Sequence, residues 1–551
     1  MTASIALSLF DTDPAELSAD AVVIGVYSPG EGRPAADAAA AEDGSADSSS
    51  AGNADFPSGG SASAAGEAAG ELLLASGAES IAAAFDGRLS ATLSLLGATG
   101  AAGEITKLAT LGAITAPLVV AVGLGAEPTG AAPAPEILRR AAGNAARALA
   151  GCSNVAFALP LSDDDSVPST PSLRAVAEGA QLGAYRFAGF KSKPQPSRKD
   201  PVDAIAILVP DAHDNAAQAE LDRAAVIATA VCRTRDWVNT PANQLRPPVF
   251  ADQIAKAASE AGLAVEVLDE QALREGGFGG ILAVGEGSEA KPRLVRLTYR
   301  PATATAKLAL IGKGITFDTG GYSIKPGSGM WEMKSDMAGA AAVASTMIAV
   351  AALRPDVEVD AFIPIAENMI SGSAYRPGDV ITMRNGKRVE VLNTDAEGRM
   401  ILGDAIARAC EESPKYLVET STLTGGQVIA LGKKISGLMG TESLVGRVKA
   451  AGDSVGEPAW GMPLPDDIRK TMESDVADIL QVSAGMERSG HMLQGGIFLR
   501  EFVAEGVDWT HIDIAGPAFS SGEAAGYLAK GGTGVPVRTL LAMIDEIAAN
   551  G

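Results

Sequence analysis

The sequence predicts an α/β protein with a small N-terminal α/β domain and a larger C-terminal catalytic α/β domain, its central mixed sheet flanked by helices. Three observations carry this expectation. Short β-branched runs alternate with longer stretches at helical spacing along most of the chain. Several later strand candidates (307–311, 359–366, 388–392, 416–420 and 511–514) lead into glycine or acidic residues, as the carboxyl edge of a site-bearing sheet does. Finally, 551 residues with 47% hydrophobic and 20% charged content suit a soluble globular chain with room for two domains.

In chain order, 4–10 and 22–28 read as strands. Residues 31–70 are rich in Ala, Gly, Ser and Asp, with Phe56 their only large apolar side chain, so they are expected to be a disordered insertion. A strand at 118–124, a helix at 134–150, a strand at 154–159 and a helix at 171–187 complete a first domain, 1–190. A linker at 191–203 carries Pro194, Pro196 and Pro201. The second domain, 204–551, opens with a strand at 204–209 and a helix at 215–237, which ends in the turn chemistry of 239–243. A helix at 249–261 and strands at 264–268, 281–284, 293–299 and 307–311 follow.

Bulk properties exclude several classes. The net charge, 44 − 67 = −23, makes nucleic acid an unlikely partner. The densest basic stretch, 191–199, is short and laced with proline. No run of about 18 strongly apolar residues suggests a membrane span. The N-terminus lacks a basic leader region, and Asp11 and Asp13 follow quickly, so a cytoplasmic location is expected. Cys152, Cys232 and Cys410 are too few and too scattered for a disulfide framework or thiolate zinc site and read as small buried hydrophobes. Only His213, His491 and His511 occur, and no HExxH motif is present. His491 is expected to be exposed and His511 structural, with Trp460 and Trp509 packing.

The chain is organised around 391–400, VLNTDAEGRM. Asp395, Glu397 and Arg399 alternate, so an extended backbone would place them on one side. A strand before them and a helix over 400–412 after them make this a strand-to-helix switch. Taken alone, the stretch reads first as an Asx-rich turn capping a helix. A second cluster lies upstream: Lys313 between two glycines, Asp318, Lys325, and Asp336 at the start of a small-residue helix. A phosphate loop is a weaker reading of the glycines, because the GxxxxGK[ST] spacing is absent. Four carboxylates cannot converge without compensation, and two divalent cations would supply it. Oxygen donors suit Mn, Mg or Zn, and Lys313 could join them as a neutral amine. Lys325 and Arg399 would stay charged and face the substrate. Paired cations about 3.5–4 Å apart activate water and polarise a carbonyl, the chemistry of amide or ester hydrolysis.

These blocks together resemble the cytosol (leucyl) aminopeptidase family. NTDAEGR stands whole at 393–399, with GKGITFDTGG (312–321), SIKP (323–326), MKSDMAGAAAV (333–343), ENM (367–369), AYRPGDV (374–380), STLTGG (421–426), ALGKKISGLMG (430–440) and HIDIAG (511–516). The similarity covers roughly 230–545; the first domain resembles the family's N-terminal domain only in layout. The resemblance implies a metal-dependent enzyme releasing N-terminal residues, preferentially leucine and other apolar ones, in intracellular peptide turnover. It implies two divalent ions per subunit, Mn or Zn with Mg or Co as further options. Asp318 and Glu397 would bridge both ions, Lys313 and Asp336 would complete the tighter site, and Asp395 would hold the exchangeable ion. Lys325 would stabilise the oxyanion, and Arg399 would hold a bicarbonate acting as general base. A homohexamer is implied as well. Met400 stands where Leu is more usual, and Ser371, Gly372 and Ser373 precede AYRPGD where Gly-Gly-Arg can occur. Two other classes stay open: a binding or regulatory protein that keeps the fold, and a two-metal phosphoesterase, although such sites usually include His.

Overall fold

The computed structural model describes residues 5–29, 72–129, 132–162, 170–193, 198–304 and 306–551. The insertion expected at 31–70 lies outside them, as does part of the expected linker, 194–197.

The N-terminal layer is a seven-stranded sheet. Its path runs Ala6–Phe10, Ala204–Leu208, Asn154–Ala158, Ala21–Ser28, Leu118–Ala126 and Ile105–Ala109, with Leu73–Leu74 paired to Ala21–Ser28. The first five strands are parallel, and Ile105–Ala109 is antiparallel. Helices Pro135–Ala148 and Thr170–Gly183 cover one face. One expectation is corrected here. The strand at 204–208, expected to open the second domain, inserts between Ala6–Phe10 and Asn154–Ala158. Ile205 and Ile207 alternate inward and join Val155 and Phe157 in the N-terminal core. Alternation marks a half-buried strand without naming the sheet that takes it. The described residues just before it, 198–203, therefore lead into the first sheet.

A buried charged network ties the two layers together. Arg139 Nε lies 3.0 Å from Glu178, and Arg538 Nε lies 3.2 Å from Glu457. Arg538 also donates to the Tyr527 hydroxyl, which in turn donates to Glu136. Arg139, Glu136 and Glu178 belong to the N-terminal helices, whereas Arg538 begins the C-terminal helix Val537–Asn550. A buried charge is tolerable only when paired in this way.

The second sheet runs Ala459–Gly461, Ser436–Gly440, Asp508–Asp513, Tyr416–Ser421, Lys307–Gly312, Glu358–Asn368, Arg293–Tyr299 and Ala264–Leu268; Gly314–Asp318 pairs with the far end of Glu358–Asn368. The four middle strands are parallel and the strands next to them antiparallel, which makes the sheet mixed. Both faces are covered, as a parallel core requires. Ala338–Leu353 lies on one face, and Glu397–Cys410 with His491–Arg500 on the other. The run Met330–Leu353 is long and apolar enough by composition to cross a membrane, with a mean hydropathy of 1.6, an exception to the expectation of no such run. Its most apolar 18-residue window is 83% buried inside the fold, and the α-helix it contains, Ala338–Leu353, is a core helix.

Two more expectations change. Residues 281–284 lie in the helix Gly279–Gly285, whose first turn donates the Ile281 amide to the buried Asp404 carboxylate. This long-range carboxylate, rather than local β propensity, sets the backbone there. Strand 388–392 shrinks to Arg388–Glu390, which pairs with Val380–Thr382 and Ile479–Leu480 in a separate three-stranded sheet. It is not a member of the central sheet, although its end still leads into the site. Trp509 is buried as expected, but Trp460 is 58% exposed on an edge strand. The three cysteines are free and partly buried.

Candidate active site

The site is assembled where the parallel strands end. Lys307–Gly312 runs into Lys313, whose amide donates to the Thr420 carbonyl at 3.0 Å and whose carbonyl accepts from Ala340. Gly314–Asp318 delivers Asp318, and the short helical turn Met330–Ser335 delivers Asp336. Asp395 and Glu397 arrive differently from the alternating extended arrangement. Asn393 Oδ1 accepts from the Asp395 amide at 2.9 Å, and its carbonyl accepts from Ala396. This Asx turn leads straight into the helix Glu397–Cys410. Glu397 and Arg399 thus occupy the first helical turn, each 1% exposed, while Asp395 projects from the turn before it. The helix begins three residues before the expected start, because the turn chemistry of Asn393 fixes its entry.

Six of the seven expected residues form one charged constellation. Lys313 Nζ lies 2.9 Å from Asp336 and 2.9 Å from Glu397. Lys325 Nζ lies 2.8 Å from Asp318 and also contacts Asp395. Each ammonium therefore spans one pair of carboxylates. Asp318, Asp395 and Glu397 offer ligand oxygens all within 4.8 Å of one another. Asp336 Oδ2 and Glu397 Oε2 are buried without a hydrogen-bond partner. Four carboxylates against two ammoniums leave a formal charge of −2 in a largely buried cluster.

The electrostatics follow from that excess. Burial pushes the Asp336 carboxyl up to about 8; Lys313 opposes the shift, while Glu397 and Asp318 add to it. Burial also raises Asp318, with Glu397 reinforcing the shift, and burial raises Asp395. Burial works against both ammoniums, but the surrounding carboxylates outweigh it and hold Lys313 and Lys325 above the ordinary lysine range. The cluster thus retains protons and exposes orphaned carboxylate lone pairs. Oxygen donors at this density, with one lysine on each side, fit two divalent cations that would displace those protons.

Several neighbours escaped individual assignment in the sequence. Asn368 is fully buried and donates to Asp318 Oδ1 at 2.8 Å and to the Thr394 carbonyl at 3.0 Å. Tyr375 donates to that same carbonyl. Thr422 Oγ1 donates to Asp336 Oδ1 at 2.7 Å, and its carbonyl accepts from Lys313 Nζ. Strand ends before a polar residue, 367–368 and 421–422, were the available signal. Gly398 is required by close approach, since a Cβ there would lie 2.5 Å from Lys313 Cε.

Arg399 stands apart from the six. It makes no ion pair within 4 Å among the described residues, donates from Nη1 to the Gln481 carbonyl at 2.9 Å and leaves Nε without a partner. Burial lowers its pKa to about 10, with Glu397 and Asp513 opposing. A buried guanidinium so placed fits a small anion. His491 is half-buried rather than exposed, beginning the helix His491–Arg500 beside Gly426. Burial, with Arg399 and Arg488, lowers its pKa to about 4.

This architecture and donor set define a metal-dependent peptidase, and the comparisons with known proteins agree. Residues 232–541 match the catalytic domain of the cytosol aminopeptidase family, and residues 68–194 match its N-terminal domain. A probable cytosol aminopeptidase of Streptomyces coelicolor is 49% identical over 498 residues, 88% of this chain and 94% of the relative. One from Rhodococcus jostii is 49% identical over 464 residues, 84% of this chain and 89% of the relative. Among solved structures, the bottromycin maturation enzyme BotP is 32% identical at a TM-score of 0.77, covering 97% of this chain and all of that one; it has also been solved in complex with Mn. A variant of tomato leucine aminopeptidase is 28% identical at a TM-score of 0.79, covering 98% of this chain and 96% of that one. The chain belongs to the cytosol aminopeptidase family and is a metal-dependent aminopeptidase.

Proposed function

We propose that the enzyme uses two divalent cations to release leucine and other apolar residues from peptide N-termini. The observation that carries this reading is the convergence of Asp318, Asp336, Asp395 and Glu397 around only two ammoniums. Asp318 and Glu397 would serve both cations, Lys313 and Asp336 would complete the tighter site, and Asp395 would hold the exchangeable ion. Two bound cations supply a readily ionised water and a polarised scissile carbonyl.

The chain's own residues have separable tasks. Lys325 sits on a partly exposed loop and, once relieved of its carboxylate pair, is free to donate to the developing oxyanion. Arg399 would bind bicarbonate through its unpartnered Nε side and hold it as general base. Asn368 keeps Asp318 aimed inward, as a hydrogen bond to a ligand carboxylate does. The loop that carries Lys325 also exposes Tyr322 and Ile324, apolar surface that suits an apolar leading residue. The tomato relative's name supports the leucine preference, and the Mn complex of BotP supports manganese, with zinc, magnesium and cobalt as alternatives. A cytoplasmic location rests on the names of the relatives. A homohexamer rests on the family resemblance alone.

Leucine para-nitroanilide tests this reading. Chelation is expected to lower turnover at least about 100-fold, with recovery on adding Mn(II) or Zn(II). A para-nitrophenyl phosphate control is expected to stay unreacted. Turnover that survives exhaustive chelation would defeat the two-cation reading. Preferential phosphate release would favour the phosphoesterase class.

A further inference from the structure

Behind the cation pocket, Glu419, His511 and Asp513 are wholly buried on one face of the central sheet, each 0% exposed. Parallel register sets Glu419 beside His511 and Ser421 beside Asp513. His511 Nδ1 contacts Glu419 Oε2, and its Nε2 lies 3.9 Å from Asp513 Oδ2. Burial disfavours the imidazolium, but the two carboxylates outweigh it and raise its pKa to about 9. A core gains little from such a trio, because apolar side chains of the same volume serve stability at least as well. What the trio holds is therefore the informative point.

Asp513 is the node. Its Oδ1 accepts from the Leu423 amide at 3.2 Å and the Ala515 amide at 3.1 Å, and its Oδ2 accepts from Thr424 Oγ1 at 2.7 Å. Thr424 in turn accepts from the Gln427 amide and caps the helix Gly425–Leu431. The residue just before these anchors is Thr422, which touches both Lys313 and Asp336. A displacement of the loop by a few tenths of an ångström is therefore transmitted to both side chains.

We propose that Asp513, with the charged His511 and Glu419 packed beside it, is a positioning residue that fixes the 422–424 loop and, through Thr422, holds Lys313 and Asp336 in cation-binding geometry. The proposal rests on the two-cation reading above. It concerns how the pocket is held, whereas that reading concerns what the pocket binds.

The test uses Asp513→Asn, Thr424→Val and Thr424→Ser, with Ile512→Val as a control from the opposite face of the same strand. Three quantities are measured: Mn(II) affinity of the metal-free protein by calorimetry, hydrogen exchange over 422–425, and kcat and KM for a leucyl arylamide. Asp513→Asn and Thr424→Val are expected to weaken the tighter Mn(II) site about 10–100-fold and to speed exchange at the Leu423 amide. They are expected to lower kcat by about tenfold or more, with KM within about threefold. Thr424→Ser, which keeps the hydroxyl, should restore all three, and Ile512→Val should lower the melting temperature without moving Mn(II) affinity. Wild-type Mn(II) affinity in Thr424→Val would overturn the proposal, as would activity losses that follow melting temperature alone across all four variants. If Asp513→Asn does not fold, the Thr424 pair decides. Failure of the two-cation reading looks different, because the wild-type chain itself would then take up fewer than two Mn(II).

Discussion

Glu397→Gln is expected to lower kcat/KM by about 10⁴-fold. Glu397 lies at the centre of the constellation. One oxygen is 2.9 Å from Lys313, the other has no partner, and its ligand atoms stand within 4.8 Å of those of Asp318 and Asp395. The amide is nearly isosteric, so packing of the first helical turn survives. It nevertheless removes a carboxylate that would serve both cation positions and points N–H donors toward them. Loss of activity is therefore expected with loss of cation stoichiometry. The substitution also removes one of four crowded carboxylates. The metal-free variant should accordingly melt at or above the metal-free wild type. Steady-state kinetics and thermal melting on the same sample check this prediction. A variant that is inactive and also melts well below wild type would mean that Glu397 is chiefly a structural partner of Lys313.

Lys325→Met is expected to lower kcat by about 10²–10³-fold, equivalent to about 3–4 kcal/mol of transition-state stabilisation, with KM within about threefold. Lys325 differs from Lys313 in position and reach. Lys313 is 3% exposed and held between Asp336 and Glu397 at the end of a central strand. Lys325 rides an exposed loop and reaches Asp318 and Asp395 from the open side. In the proposed role its charge would be needed where negative charge develops during reaction rather than where the substrate first binds. Lys325→Arg should recover little, because the planar guanidinium is larger and directs its donors differently from a compact ammonium. Cation stoichiometry should remain that of wild type, which separates this variant from Glu397→Gln. A raised KM with unchanged kcat would instead assign Lys325 to ground-state binding.

Much of this site was legible in the sequence because its members lie at short spacings beside glycines and strand ends. Lys313, Asp318, Asp336, Asp395 and Glu397 are brought together as their blocks suggest, and Lys325 joins them. What the sequence obscured was geometry. The alternation of Asp395, Glu397 and Arg399 suggested an extended segment, yet Asn393 turns the chain and a helix starts at Glu397. The modest reading of that stretch as a capping turn was sound for the backbone, and the same turn brings the carboxylates together. Arg399 was expected to stay charged and face the substrate; its burial, with Nη1 on the Gln481 carbonyl and the guanidinium over Phe498, depends on residues about 80–100 positions later. Asp513 and Glu419 carry no role legible in the sequence because their partners come from another strand or loop. The strand at 204–208 illustrates the same limit at the level of the sheet: its pattern was plain, but its partners were not.

The central claim is that the four carboxylates take two divalent cations in place of protons. Calorimetric titration of the metal-free protein with Mn(II) at pH 7, in two buffers of different ionisation enthalpy, tests it most directly. Asp336 is raised to about 8, so its carboxyl is mostly protonated at pH 7, and Lys313 keeps its proton there too. Ligation requires both protons to leave, and affinity should therefore weaken as pH falls through 8. Two equivalents of Mn(II) per chain, with net release of at least one proton, are expected. A single equivalent, or two equivalents bound without proton release, would contradict the account.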